Sequence, residues 1–240
     1  MEIKFKNKYV LITGSNSGNG LEIAKAFFKL GAKVIRVDKK FTSKLKAKDI
    51  VFNLENYNKI PELVKKIRKF TKKVDILVNN AGISKQSITP YQDFKVYHKT
   101  LSVNLHAPFY LIALINKMMP NNSSIIQITS LGQKFGFSNN PSYQISKAGL
   151  AQLTRCAAFD LKKRKIRVNN VCPGYIKTKM TIKSYNNSKK SFERISRTIS
   201  GRWGYPSDLV GAVLFLCSDY SSYINGSTID VDGGWSASGL

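Results

Sequence analysis

Acidic residues are scarce in this sequence: 14 Asp and Glu stand against 39 Lys and Arg, a formal net charge of +25 over 240 residues. Cysteine and histidine are scarcer still, with Cys156, Cys172 and Cys217 far apart and only two histidines. Three dispersed cysteines exclude a disulfide framework, and so few soft ligands predict no metal site. We therefore expect a cytoplasmic protein with reduced cysteines.

Long apolar runs are also missing. The nearest candidate, residues 101–119, is interrupted by polar residues such as Ser102, Asn104 and His106, so we expect no membrane span. No apolar signal-peptide core is visible near the N-terminus. Hydrophobic residues make up 42% and charged residues 22%, which excludes a disordered chain and favours a single domain over residues 1–240.

The positive charge raises the question of nucleic acid. Of the 39 basic residues 31 are Lys and 8 are Arg, and Arg is the residue that binds phosphate and guanine with two parallel hydrogen bonds. We therefore expect a solvated Lys-rich surface and no nucleic-acid partner. Residues 175–205 carry eight basic residues against Glu193 alone, so we predict a basic substrate lid there and an anionic substrate.

Short apolar runs alternate with helical patterns along the chain. This alternation predicts βαβ units and a parallel sheet covered by helices on both faces. The predicted strands are Tyr9–Thr13, Lys33–Val37, Asp49–Asn53, Val74–Val78, Ser124–Thr129, Arg167–Cys172 and Thr228–Val231. The predicted helices are Leu21–Leu30, Pro61–Phe70, Phe94–Met119, Tyr143–Lys163 and Leu209–Cys217.

A glycine-rich turn, Thr13-Gly-Ser-Asn-Ser-Gly-Asn-Gly20, follows the first predicted strand. Such turns let the backbone approach a diphosphate, which the N-terminus of the next helix attracts. Asp38 ends the second strand, where a carboxylate can accept hydrogen bonds from a ribose and repel a 2′-phosphate. Lys39 and Lys40 beside it weaken that repulsion, so NAD is favoured and NADP is not excluded. The alternative is that Asp38 is a simple turn residue.

Tyr143 and Lys147 are four residues apart, so a helix places them on one face. An ammonium near a phenol favours the phenolate, which predicts a lowered pKa for Tyr143 and an acid/base group near neutral pH. Ser130 ends the fifth strand thirteen residues earlier, and Asn79-Asn80-Ala81-Gly82 directly follows the fourth. Each of these patterns is common alone, but their joint order and spacing are not.

Together these motifs resemble the short-chain dehydrogenase/reductase family, from Tyr9 to about Trp235. The resemblance implies a single-domain Rossmann fold, a doubly wound sheet of seven parallel strands with helices on both faces. It also implies that Tyr143 exchanges the hydroxyl proton, Ser130 holds the substrate oxygen, Lys147 binds the nicotinamide ribose, and Asn104 anchors a relay water. The implied cofactor-binding residues are Gly14, Asn16, Ser17, Gly18, Asn19, Gly20, Asp38, Asn53, Leu54, Asn80, Ala81, Gly82, Tyr143, Lys147, Pro173, Gly174, Ile176 and Thr178.

Two positions depart from the family pattern. Asn19 stands where the family usually has Ile or Leu, which removes an apolar contact and leaves a polar group at the nicotinamide end. Asn53 replaces the usual Asp before Leu54, and its carbonyl can still accept a hydrogen bond from adenine.

We expect an NAD(H)-dependent oxidoreductase acting on a secondary alcohol or ketone of a sugar or sugar acid. The C-terminal tract from Gly201 to Trp235 resembles that of sugar-acid dehydrogenases. The alternatives are a 3-oxoacyl-(acyl-carrier-protein) reductase, for which the basic residues 162–165 would suit an acidic carrier, and a non-catalytic nucleotide-binding protein. Leu101–Met119 and Tyr143–Lys163 carry more apolar residues than one sheet face needs. Such helices pair across subunits in the family, so the resemblance implies a homotetramer.

Overall fold

The computed structural model describes residues 3–88 and 93–238. Seven parallel strands form one sheet in the order β3-β2-β1-β4-β5-β6-β7. The strands are β1 Tyr9–Thr13, β2 Lys33–Asp38, β3 Lys48–Val51, β4 Ile76–Asn79, β5 Ser124–Ile128, β6 Arg167–Pro173 and β7 Thr228–Val231. The order reverses between β1 and β4, and ligands of doubly wound sheets bind at that point, beyond the carboxyl ends of the strands.

Helices cover both faces of the sheet. They are α1 Gly18–Lys29, α2 Ile60–Arg68, α3 Phe94–Leu101, α4 Ala107–Ile115, α5 Pro141–Asp160, α6 Ile182–Tyr185, α7 Ser188–Ile195 and α8 Val210–Cys217. Successive strand residues face opposite sides, so Leu11 packs with α2, α4 and α5 while Val10 and Ile12 pack with α1 and α8. Burial on both faces explains why the strands are almost continuously apolar.

The predicted strand and helix types are confirmed, with boundaries that shift by a few residues. One predicted element differs in kind: residues 94–119 are not one uniform helix. A π-helical turn, Ser102–His106, separates α3 from α4, and a 3-10 turn follows at Asn116–Met118. Such turns inside helices often mark functional positions, and this one carries Asn104.

The second difference is the segment 175–205, whose sequence has no clear period. The structure gives it two short helices, α6 and α7, and ties its ends together through a bridge between Ile176 and Gly204. None of the residues in α6 or α7 is buried. Helices of 4 and 8 residues are too short for an apolar period to stand out, which is why they escape prediction.

Candidate active site

The glycine-rich turn joins β1 to α1 at the point where the strand order reverses. Gly14 and Gly18 have positive φ values of 65° and 57°, a region that side chains disfavour. A Cβ on Gly20 would lie 2.3 Å from the carbonyl oxygen of Gly14, and one on Gly14 would lie 2.7 Å from Ala81 Cα. The turn therefore requires glycine at these three positions.

This turn leaves the start of α1 open to an anion. Ser17, the residue before the helix, makes no side-chain capping hydrogen bond, and the first helical turn contains no acidic residue. The first N–H groups of a helix lack internal partners and carry partial positive charge. These observations fit a dinucleotide diphosphate, because the cradle is both too narrow for side chains and complementary to negative charge.

Asp38 lies at the end of β2 on the other side of this turn. Its carboxylate accepts hydrogen bonds from Asn16 N at 2.9 Å and from Lys39 N at 2.7 Å. Asp38 therefore stabilises the turn, as the alternative interpretation of this residue expects, and it also lines the cleft. An ionised carboxylate has about four acceptor positions, so two bonds leave capacity for ribose hydroxyls.

Ser130, Tyr143 and Lys147 meet at the opposite end of the same cleft. Ser130 follows β5 and accepts a hydrogen bond from Gly132 N at 3.3 Å. The Lys147 ammonium donates to the carbonyl oxygen of Ile128 at 2.7 Å and lies 5.7 Å from the centre of the Tyr143 ring. The first turns of α5 therefore bring a buried phenol and a buried cation to one place.

The pKa of Tyr143 differs from the expectation drawn from sequence. Burial raises the pKa of Tyr143 above its ordinary value of 10.0, and a hydrogen bond with Ser130 only partly opposes that rise. The prediction of a lowered pKa for Tyr143 is therefore wrong. Burial also lowers the pKa of Lys147 to about 8, because a low-dielectric site disfavours both the phenolate and the ammonium.

Asn104 lies behind these residues, fully buried within the π-helical turn. Its amide Nδ2 donates to the carbonyl oxygen of Ile83 at 2.9 Å and to Ser146 Oγ at 3.0 Å. Its Oδ1 accepts from Ile83 N at 2.9 Å. Both donors are therefore used within the protein, and only one lone pair of Oδ1 remains for a water.

The structure brings most of the predicted site residues into one cleft of about 370 Å³. Four lie outside its lining. Gly20 sits beneath the turn, Asn104 lies behind the lysine, and Asn53 accepts from Glu55 N at 3.1 Å. Asn16 holds the loop after β2 through its Oδ1, which accepts from Thr42 N at 2.8 Å.

Several lining residues were missed by the sequence analysis. They are Lys39, Phe52, Ile83, Val103, Ile128, Thr129, Lys179, Met180 and Thr181. Most of them are adjacent in sequence to a motif residue. Because those motifs follow strands, this adjacency could have predicted that they line the cleft. Lys179 to Thr181 follow Thr178 in the segment 175–205, and only the fold shows that they line the cleft.

Comparisons with known proteins agree with this geometry. Residues 14–236 match the family model described as enoyl-(acyl carrier protein) reductase. The chain belongs to the short-chain dehydrogenase/reductase family. It is accordingly an oxidoreductase acting on CH–OH and C=O groups with a nicotinamide dinucleotide.

One sequence relative is the 3-oxoacyl-(acyl-carrier-protein) reductase of Rickettsia bellii. It is 40% identical over 247 residues, covering 97% of this chain and 98% of the relative. The gluconate 5-dehydrogenase of Burkholderia cenocepacia, solved with NADP and tartrate, is 27% identical with a TM-score of 0.91, covering 98% of this chain and 97% of that one. A 4-hydroxyisoleucine dehydrogenase solved with NADH is 30% identical with a TM-score of 0.90, covering 96% and 99%.

Two further findings apply to residues 3–88 and 93–238. No helix there is both long and apolar enough to cross a membrane. No group of three His, Cys, Asp or Glu side chains there is arranged to hold a metal ion.

Proposed function

We propose that this protein reduces the ketone of a small, polar, anionic molecule of the sugar-acid type, with Tyr143 as the proton donor. The observation that carries the proposal is geometric: Ser130, the Tyr143 phenol and the Lys147 ammonium line one end of the cleft together. A phenol with a pKa above 10 is protonated at neutral pH, and it can therefore donate its proton to an oxygen that gains negative charge.

The other residues of the cleft support this step. Ser130 lies within hydrogen-bonding reach of the phenol and can hold the same substrate oxygen. Lys147 is positively charged below about pH 8, so it stabilises the phenolate that remains after proton transfer. A nicotinamide dinucleotide held by the start of α1, Tyr143 and Lys147 would supply or accept the hydride. Oxidation of the alcohol uses the same groups in reverse, with the phenolate accepting the proton.

We also propose a preference for NAD(H) over NADP(H). Asp38 is half-buried at the adenosine end of the cleft, and a carboxylate there repels a 2′-phosphate. Lys39 lines the same end and counteracts that repulsion. The start of α1 would hold the diphosphate, and Tyr143 and Lys147 the nicotinamide ribose.

The anionic substrate class rests on the lid. Lys179 is the basic residue of the lid that lines the cleft. Two other lid cations are engaged elsewhere: Lys177 lies 3.9 Å from the Tyr185 ring centre, and Arg202 donates to Asp208 at 2.7 Å. An exposed cation such as Lys179 at the cleft attracts a carboxylate or phosphate.

The second candidate is reduction of a 3-oxoacyl thioester on an acidic carrier. A depression beside the site is lined by apolar groups that include Ile88, Phe137 and Ile145, and Ile145 is 50% exposed. Such a surface suits an acyl chain better than a sugar acid. The Rickettsia bellii relative, with its 40% identity, supports the same reading.

A substrate panel tests both candidates. Keto-sugar acids and 3-oxoacyl thioesters are each assayed with NADH and NADPH by loss of absorbance of the reduced cofactor. The lead proposal predicts the highest kcat/KM with a keto-sugar acid and NADH. The highest value with a 3-oxoacyl thioester would favour the second candidate. Cofactor binding without turnover of any ketone would instead support a non-catalytic role.

We further propose a cytoplasmic homotetramer built through α4 and α5. Phe109 and Phe159 on these helices are 54% and 68% exposed, and a contact between subunits through α4 and α5 would bury them. The described cysteines are free, as in a reducing compartment. Light scattering at micromolar protein tests the assembly, and a monomeric mass of 26.9 kDa would contradict it.

A further inference from the structure

Asn19, the second residue of α1, has an unusual amide. Its side chain lines the cleft, yet its Oδ1 is buried from solvent and accepts no hydrogen bond from any residue in 3–88 or 93–238. A buried acceptor without a donor is unfavourable, and each such group calls for a partner. The partner of this oxygen is therefore expected to enter with a ligand.

The position of Asn19 restricts which ligand that is. A Cβ on the neighbouring Gly18 would lie 3.5 Å from Thr178 Cγ2, so the start of α1 approaches the segment after β6. In the sheet order β6 is next to β5, which leads to Ser130, whereas Asp38 ends β2 on the other side of β1. Asn19 therefore faces the reacting half of the cleft and not the adenosine half.

The segment that faces the start of α1, residues 176–181, already uses several of its polar atoms in hydrogen bonds of its own. Thr178 N donates to Thr181 Oγ1 at 2.9 Å, and the two hydroxyl oxygens are 3.3 Å apart. The hydroxyl of Thr181 donates in turn to the carbonyl oxygen of Ile176 at 2.5 Å. The acceptor that lacks a donor in this part of the cleft is Asn19 Oδ1.

We propose that Asn19 Oδ1 accepts a hydrogen bond from the carboxamide N–H of the nicotinamide, and that Asn19 thereby sets the position of the reacting ring. This assignment rests on the proposed function, which places that ring beside Tyr143. A primary amide is the complement of another primary amide, since each offers a donor and an acceptor in one plane. Leu at this position would offer only apolar contact.

The experiment compares three ligands on the wild type and on Asn19→Leu by isothermal titration calorimetry. NADH has the carboxamide. In the reduced 3-acetylpyridine analogue of NADH, an acetyl group replaces the carboxamide. The ring and its carbonyl oxygen are kept, but the N–H donor is lost. ADP-ribose has no ring at all. Leu is close to Asn in size, so we expect the variant to fold. Binding of ADP-ribose, which does not involve the ring, reports whether it has done so.

For the wild type we expect tighter binding of NADH than of the acetylpyridine analogue. Asn19→Leu should raise the Kd for NADH about tenfold, the usual effect of losing one buried hydrogen bond, with both other Kd values unchanged. Unchanged or tighter NADH binding by the variant would overturn the assignment and leave the proposed function intact. An equal loss of affinity for NADH and for ADP-ribose would also overturn the assignment, because Asn19 would then act through the diphosphate.

A matched control is Asn121→Leu, an exposed asparagine in the turn before β5, which should bind all three ligands as the wild type does. Failure of the wild type to bind any of the three ligands would overturn the proposed function together with this assignment.

Discussion

The floor of the cleft and the segment 175–205, which we propose as its lid, are built in opposite ways. Asn104 and Lys147 in the floor are 0% and 3% exposed, and buried hydrogen bonds fix both. In the lid no residue between 177 and 202 is buried. The lid is held at its base by aromatic contacts, such as Tyr175 on Trp203 at 5.8 Å between ring centres.

This contrast separates two tasks. Acid/base chemistry needs groups held within fractions of an ångström, which burial and hydrogen bonds provide. Substrate choice can lie on a more exposed segment, whose side chains change at little cost in stability. Variants of the floor should therefore alter turnover or pH dependence, and variants of the lid should alter KM.

The largest effect is expected in the floor. Tyr143→Phe removes the phenolic proton but keeps the ring, so turnover should fall by at least ~100-fold, as for the loss of a positioned acid. The Kd for NADH should stay within a factor of about two. Steady-state kinetics and calorimetry measure the two quantities.

The control for this variant is Tyr220→Phe, since Tyr220 is exposed and should not affect turnover. Wild-type activity in Tyr143→Phe would refute the acid/base assignment.

Burial of Lys147 should appear in the stability of the protein. Its pKa is about 8 in the folded state and near 10.4 unfolded, so between these values the unfolded chain binds the extra proton and stability rises with pH. Relative to Lys147→Met, the wild type should gain about 2 kcal/mol in unfolding free energy from pH 7 to pH 10. Urea denaturation at both pH values measures this gain.

An exposed lysine provides the comparison. The stability of Lys189→Met, on α7, measured at the same two pH values, gives the effect of removing a lysine from an exposed position. If the unfolding free energies of the wild type and Lys147→Met differed by the same amount at pH 7 and pH 10, burial would not be shifting the pKa of Lys147. The floor of the cleft would then be more hydrated than its burial indicates.

Asp38 tests the adenosine end of the floor. Asp38→Ser removes the negative charge that faces a 2′-phosphate, so the ratio of kcat/KM for NADH to that for NADPH should fall about tenfold or more. The exposed charge control Asp160→Ser should leave the ratio unchanged. A wild type that prefers NADPH would show that Lys39 and Lys40 dominate this end.

The smallest effect is expected in the lid. Lys179→Gln should raise KM for an anionic substrate about threefold at low salt, with kcat unchanged, because an exposed charge contributes little and is screened by ions. Lys189→Gln, outside the cleft, should leave KM as it is. Equal effects of the two variants would mean that only the overall charge of the lid matters.

The geometry of the cleft was more predictable from sequence at the end with the glycine turn and Asp38 than at the end with Tyr143 and Asn104. Gly14, Gly18 and Gly20 are recognisable because their backbone geometry excludes other residues, and Asp38 because it ends a clearly apolar strand. The bonds between Asn104 and Ser146 or Ile83 join residues 42 and 21 positions apart, and no local pattern encodes them. The pKa of Tyr143 was mispredicted for a related reason: spacing shows a neighbouring charge but not desolvation.

The sequence by itself determined the order of the strands, the positions of α1, α2, α5 and α8, the glycine turn and the pairing of Tyr143 with Lys147 on one helical face, because each depends on local geometry or on apolar periodicity. Tertiary structure alone decided which lid cation reaches the cleft, which amide oxygen stays without a donor at Asn19, and how far burial shifts the pKa of Tyr143 and Lys147. Those properties depend on distances and dielectric environment between segments that are far apart in the chain, and these exist only once the sheet and its covering helices have assembled.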